Sequence, residues 1–266
     1  MELTAALNAI AGTTGLEAQG AANVIAGTDG LALVGALNVA ATPVGVVGYQ
    51  PTKLGLPGTS GNYATAPDDA SFAITDVDFR VYMSMDDWTP SGNVNPAGQW
   101  NGTGNQRGWQ IDIDTAGRFS FIWSTDGTYN PGVTYLAQQV STANSFTNSA
   151  SKGLRFLFDV DNGASGRAFS VYHRDDDDIE SSSGWTQLGS TDTTAGATTI
   201  HNSTASLDLG ACNDGGHLAG TIHKAVLLDG INGAAVANPN FTSDPALDGY
   251  AAEGAGFFLA LDGTAA

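Results

Sequence analysis

The chain has 266 residues and a formal net charge of −18, from 9 Lys and Arg against 27 Asp and Glu, with a single cysteine. That length allows one large domain with an appendage, and a full core without disulfides or metals. The basic residues are scattered between Lys53 and Lys224, so the clustered cations that phosphate contacts need are missing. Nucleic acid is excluded as a partner on that ground, and an anionic membrane surface would repel the chain.

Cys212 has no second cysteine to pair with and is read as a structural thiol. The opening residues, MELTAALNAIAGTTGLEAQG, carry neither a basic region nor an unbroken apolar stretch, so no secretory signal is expected. No apolar run approaches membrane-spanning length. Synthesis in a cytoplasm, with delivery by assembly or lysis, is the corresponding expectation.

Residues 7 to 42 repeat with a spacing of about 15 residues. Leu7 to Leu16 (LNAIAGTTGL) returns as Ala22 to Leu31 (ANVIAGTDGL), and in part as Leu37 to Thr42. Each unit reads as a short Ala- and Leu-rich helix closed by a Gly-Thr-x-Gly turn, with Thr13, Thr14, Thr28 and Asp29 as caps. Helices of about ten residues are marginal alone, and Glu2, Glu17 and Asp29 are the only charges before residue 44. The apolar positions Leu7, Ile10, Leu16, Val24, Ile25, Leu31, Leu33 and Leu37 are therefore expected to dock on a partner subunit or on sister copies. A helical cap on the chain's own β domain is the alternative. Domain boundaries follow: 1–43 as an assembly segment, 44–61 as a Pro- and Gly-punctuated linker, and 62–266 as a β domain.

From Asn62 onward strands dominate. Val77, Phe79, Val81, Met83 and Met85 alternate with polar neighbours, as do Trp109, Ile111 and Ile113, and then Phe119, Phe121 and Trp123. The stretch from Gly153 to Gly189 is central: Leu154, Phe156, Phe158 and Val160 share one face, and Phe169, Val171 and His173 share the next. Asp161 to Gly166 turns between them. A face so apolar needs a second layer. A short strand follows at Ser206–Gly210, a long apolar run at Leu218–Leu228 and a last strand at Gly256–Leu261. In all, about ten to thirteen strands with regular turn signals predict a two-sheet antiparallel sandwich, mostly β, preceded by the helical segment.

The order DDWTP (Asp86 to Pro90), Gly108-Trp109, DGT (Asp126 to Thr128), FDVDNG (Phe158 to Gly163), GWTQLGS (Gly184 to Ser190), LDLGA (Leu207 to Ala211), GTIHKAVLLDGI (Gly220 to Ile231) and VANPNF (Val236 to Phe241) resembles concanavalin A-like, laminin-G-like jelly rolls. These occur in virion structural proteins of actinobacterial phages. The resemblance covers about Leu54 to Asp244, and the N-terminal repeat is similar to one met in minor tail and head-fibre proteins of such phages. It implies a non-enzymatic virion structural protein on the capsid or tail surface. Such a protein would be held by its N-terminal segment to other virion proteins and sister copies, as a homo-oligomer with a trimer favoured. A lectin-like adhesin binding host cell-wall glycan is the alternative, and a glycoside hydrolase a disfavoured third.

Glycosidases on such a fold place two carboxylates about 5 Å apart on one strand. The four glutamates, Glu2, Glu17, Glu180 and Glu253, lie in no such pattern, and Asp112-Ile113-Asp114 is the nearest look-alike. Cys212, His217 and His223 have a spacing that suggests zinc, but with only three ligands and a turn between them. Calcium is the more open cofactor question. Asp159 to Gly163 falls one residue short of an EF-type start, and the run Asp175, Asp176, Asp177 and Asp178 would be relieved of self-repulsion by a cation. For glycan contact, Trp88, Trp100 and Tyr129 sit in polar loops and are the candidates, whereas Trp109, Trp123 and Trp185 fall on strand positions and are assigned to the core.

Overall fold

The structure is a computed structural model in which residues 2–3, 24–27, 30–33, 53–140, 142–213, 215–242 and 259–261 are described. The chain divides into two units, Met1–Gln50 and Pro51–Ala266.

In the first unit the described residues form strands. β1 (Glu2–Leu3) pairs with β2 (Val24–Gly27), and β2 pairs with β3 (Gly30–Leu33), all antiparallel. Gly27 faces Gly30 across the ladder, so paired strands stand where the sequence suggested the end of a helix; Thr28 and Asp29, read as caps, lie outside the described residues. The helical expectation fails at Val24, Ile25, Leu31 and Leu33 for a physical reason. A polar pair between glycines is as good a hairpin loop as a helix stop, and β-branched Val24 and Ile25 favour the extended chain. Leu7, Ile10, Leu16 and Leu37 lie outside the described residues.

The second unit is a sandwich of two antiparallel sheets. The first has the order β10 (Tyr135–Gln139), β9 (Phe119–Gly127), β8 (Gln106–Ile113), β7 (Ala97–Asn101), β14 (Leu207–Leu209), β5 (Tyr63–Ala66) and β17 (Leu259–Leu261). The second has the order β13 (Thr186–Ala195), β12 (Gly166–Arg174), β11 (Lys152–Asp159), β6 (Val77–Met85), β15 (Ala219–Asp229) and β16 (Ala234–Ala237), with β4 (Leu54–Pro57) also on β15. The sandwich thus reaches back into the segment read as linker, where Leu54 and Leu56 are buried.

Alternation along the strands decides which atoms meet between the sheets. Val77, Phe79, Val81, Met83 and Met85 of β6 are all inward and buried, facing Trp109, Ile111, Phe119, Phe121 and Trp123 of the other sheet. The rings interlock: Phe121 and Phe158 stack at 4.3 Å, Trp123 lies 4.4 Å from Phe158, and Trp109 stacks on Phe121 at 5.9 Å. Phe158 and Phe169 are direct neighbours in the β11–β12 ladder, so the predicted central hairpin forms with the expected inward face. Such aromatic pairs add about 0.5–1.5 kcal/mol each beyond the burial of their area.

The outward face of the second sheet is closed by the chain itself. Asp78, on β6, accepts paired hydrogen bonds from Arg80 (3.0 and 2.8 Å) and from Arg155 of β11 (3.0 and 2.7 Å). Arg80 also donates to the carbonyls of Ile179, Glu180 and Ser181, drawing the 175–185 excursion across the sheet. Ile179 is thereby fully buried against Val226 and Leu228. Trp185, assigned to the main core from sequence, instead lies half-buried in this outer cluster, with Arg174 over its ring and its indole N–H donated to Ser181.

Candidate functional site

The first sheet's outward face is built differently. Strand alternation points Gln110 and Asp112 of β8, Ser120, Ile122 and Ser124 of β9, and Asp208 of β14 away from the core, and register places them in rows across the strands. Asp112 is buried there without a cation. It accepts from the side-chain amides of Asn95 and Gln110, the latter at 2.9 Å. Burial pushes its pKa up to about 6, against the pull of hydrogen bonds from Gln110, Asn93 and Asn95. Burial likewise raises the pKa of Asp208, which is held by Thr65, Ser206 and the backbone of Asn213. It also keeps the Cys212 thiol protonated, helped by the charges of Asp208 and Asp112.

At one end of this face four side chains gather. Trp100 of β7 meets Tyr135 of β10 edge-on at 5.6 Å, and Tyr135 meets Tyr129 at 4.6 Å. The guanidinium of Arg107 lies 5.9 Å from the Trp100 ring and 5.6 Å from the Tyr129 ring, within cation–π reach of both. Tyr129 is 59% exposed, while Trp100, Arg107 and Tyr135 are half-buried. Burial, with the charge of Asp112 and the neighbouring Tyr129, raises the Tyr135 pKa, so its hydroxyl is a donor at neutral pH.

Local irregularities in the ladders make this cluster possible. Pairing shifts between Gln99 and Trp100 and between Arg107 and Trp109, so Arg107 leaves the inward series of Trp109, Ile111 and Ile113 and comes opposite Trp100. Gly108 sits at the shift; a Cβ there would lie 2.9 Å from the Gln99 carbonyl oxygen and 3.2 Å from Ser203. Gln106 is fixed by Ser203, which donates to its carbonyl, and by its own side chain, which accepts from the Thr204 backbone. Gly127, at φ +83°, brings the β9 end so close that a Cβ would lie 1.9 Å from the Asn105 carbonyl oxygen. Thr128 folds back on Asp126, and the turn presents Tyr129 and the exposed Val133.

Two of the three aromatic residues expected to contact glycan, Trp100 and Tyr129, are therefore brought together. Trp88 is not. It is 1% exposed, edge-on to Phe146 at 5.1 Å, with its backbone N–H donated to Asn148. The loop is polar, but a distant phenylalanine roofs the ring. Trp109 and Trp123 are core residues.

The acidic run is answered by protein cations. Asp175 pairs with Lys152, Asp176 and Asp178 with Arg174, and Asp177 with Lys224 at 3.7 Å. The repulsion that suggested calcium is relieved by the adjacent Arg174 and by Lys152 and Lys224, which the fold brings from other strands. Among the described residues no group of three or more His, Cys, Asp or Glu is assembled to hold a metal ion. The zinc-like trio is likewise dispersed: Cys212 is buried beside the outward face of the first sheet, above Gly98, while the His223 ring lies tilted against Tyr82 outside the second sheet.

The Asp112/Asp114 look-alike for a catalytic pair is divided between two roles. Asp112 is buried among amides. Burial works against ionisation of Asp114 too, but hydrogen bonds from the backbone and guanidinium of Arg118 prevail and hold its carboxyl below the usual range.

No family model and no curated protein matches the sequence. Among solved structures, the chain is similar to the CBM40 of Ruminococcus gnavus IT-sialidase, alone and bound to α2,3- or α2,6-sialyllactose. In each case the identity is 12%, the TM-score is 0.42, and the match covers 64% of this chain and 89% of the other.

Proposed function

We propose that the sandwich is a non-catalytic carbohydrate-binding module of concanavalin A-like type, with Trp100, Tyr129, Tyr135 and Arg107 as its contact platform. The observation that carries this reading is the gathering of three rings and a guanidinium at an accessible end of a sheet face whose other outward residues are mostly polar. Sugars present apolar C–H faces ringed by hydroxyls, and a ligand of that kind fits ring faces bordered by hydrogen-bonding groups. Tyr and Trp offer this area at little entropic cost. The Tyr135 hydroxyl and the Arg107 N–H groups supply donors beside the rings.

A screen of the full chain against bacterial cell-wall polysaccharides and a glycan array tests the proposal. Wild-type protein is expected to retain at least one saccharide, and Trp100→Ala and Tyr129→Ala each to weaken it at least tenfold. Absence of any saccharide binding by the wild type sinks the reading.

A second reading concerns where the module is carried. The sequence resemblance to phage virion proteins, together with the division of the chain at Gln50/Pro51, supports display on a virion surface with residues 1–50 as the attachment unit. A chain beginning at Pro51 is expected to stay folded and to be absent from purified particles, and normal incorporation of that truncation would remove this reading.

A further inference from the structure

We infer that the saccharide taken by this platform is acidic, and that Arg107 reads its carboxylate; this rests on the glycan-binding reading above. The inference comes from how the chain spends its few cations. Arg80 and Arg155 are paired with Asp78, Arg118 with Asp114, Arg174 with Asp176 and Asp178, Lys152 with Asp175, and Lys224 with Asp177 and Glu180. Acids outnumber bases 27 to 9, so carboxylates are plentiful. Yet among the described residues Arg107 has no carboxylate partner, and its hydrogen bond to the Gly127 carbonyl is long, at 3.4 Å. The neighbouring acidic side chain of the turn, Asp126, is taken up by the backbone and hydroxyl of Thr128. Lys53 and Arg167 also lack a carboxylate among the described residues, but Lys53 is a point charge outside the aromatic cluster, and Arg167 lies over the fully buried Trp123 and donates to Gly196, with no exposed ring beside it.

What Arg107 has instead is two aromatic rings, at 5.9 and 5.6 Å. Rings in those positions hold a guanidinium in place without consuming its N–H donors, which, apart from the long bond to Gly127, are left for a ligand. A planar fork of donors is the complement of a carboxylate, which it binds through two parallel charge-assisted hydrogen bonds. A uronic acid or related acidic sugar offers both parts: an apolar ring face for Trp100 and Tyr129, and a carboxylate at its rim for Arg107. A neutral sugar would leave the guanidinium without its natural partner.

The test uses uronic-acid oligosaccharides, each paired with its own carboxyl-reduced product, titrated against the full chain, Arg107→Gln, Arg107→Lys and Trp100→Ala. The acid is expected to bind at least tenfold tighter than its reduced product, with the preference shrinking as salt rises. Arg107→Gln is expected to abolish that preference, so that acid and reduced product bind alike, with a thermal midpoint near that of wild type showing that the fold is intact. Arg107→Lys should recover only part, because an ammonium is a point charge and not a fork. If reduced sugars bind as tightly as acids and still depend on Trp100, the acidic-ligand inference falls and the glycan reading stands. If the preference for acid survives in Arg107→Gln, Arg107 is not its reader. If no saccharide binds at all, both fall.

Discussion

The two sheets turn opposite kinds of outer face to their surroundings, and the contrast is clearest in their buried aspartates. On the second sheet Asp78 is gripped by Arg80 and Arg155, and the same arginine that grips it also ties down the excursion covering the face. Burial works to raise its pKa, yet the hydrogen bonds from Arg80 and Arg155 overcome this and hold the carboxyl low. On the first sheet Asp112 has only amides, and its pKa rises to about 6. One face has settled its charges internally and is closed. The other keeps a guanidinium without a carboxylate, set among partly exposed rings. A surface whose ionic needs are met within the fold has little left for a ligand, so the location of unmet need is itself a guide to function.

The largest expected effect breaks the closed face. Asp78→Ala would leave two guanidiniums facing each other across the β6–β11 ladder, where Arg80 and Arg155 are register partners. Removing one member of a buried pair costs about 3–5 kcal/mol. Denaturant unfolding should show that loss, and a change within experimental error would mean that the network is solvated and the face is not closed. Saccharide binding by the folded fraction should be unchanged, because the platform lies on the other sheet.

Asp112→Asn is expected to move stability the other way. With the folded-state pKa raised from 3.8 to about 6, the folded protein holds the Asp112 proton more tightly than the unfolded chain. The resulting stabilisation is complete below pH 3.8 and is lost as pH rises through about 6, a swing of about 3 kcal/mol at 1.36 kcal/mol per unit. An asparagine cannot ionise and keeps an oxygen for Asn95 and Gln110. The variant should therefore match wild type near pH 4 and exceed it at pH 7 by up to about 3 kcal/mol. Asp78 has the opposite sign: its contribution is present above pH 3.8 and disappears as pH falls through its lowered folded pKa. Subtracting the Asp112→Asn stability curve from that of wild type isolates the first effect from the second. A difference curve flat between pH 4 and 7 would show that Asp112 is not desolvated.

The sandwich was legible in the sequence because period-two alternation is a local signal, and β6, β8, β9, β11 and β12 all carry it without interruption over their inward residues. The platform was half legible. Trp100 and Tyr129 could be picked out as aromatics in polar loops, but Arg107 could not, because the register shift at Gly108 breaks the alternation that places side chains. A glycine directly before Trp109 was the only available hint of a bulge. Tyr135 was missed because β10 sends Gln138 inward, so its alternation is not one of hydrophobicity. Trp88 and the acidic run were misjudged for a common reason. Phe146 lies far along the chain from Trp88, and Lys152 and Lys224 lie far from the aspartates they neutralise, so strand pairing alone reveals the partners.

The smallest expected change in stability belongs to the platform itself. Trp100 is half-buried and outside the main core, and truncating it to alanine forfeits its edge contact with Tyr135 and its share of the Arg107 interaction. Those amount to about 1–2 kcal/mol, below the ~3–5 kcal/mol of truncating a fully buried tryptophan. A tryptophan retained on a partly open face for stability would cost far more to remove. One retained for a ligand should leave the thermal midpoint almost in place while binding falls at least tenfold. Thermal unfolding and saccharide titration on the same Trp100→Ala sample separate the two. A large drop in midpoint would make the cluster a packing device of the β7–β10 edge and return the open face to the same category as the closed one.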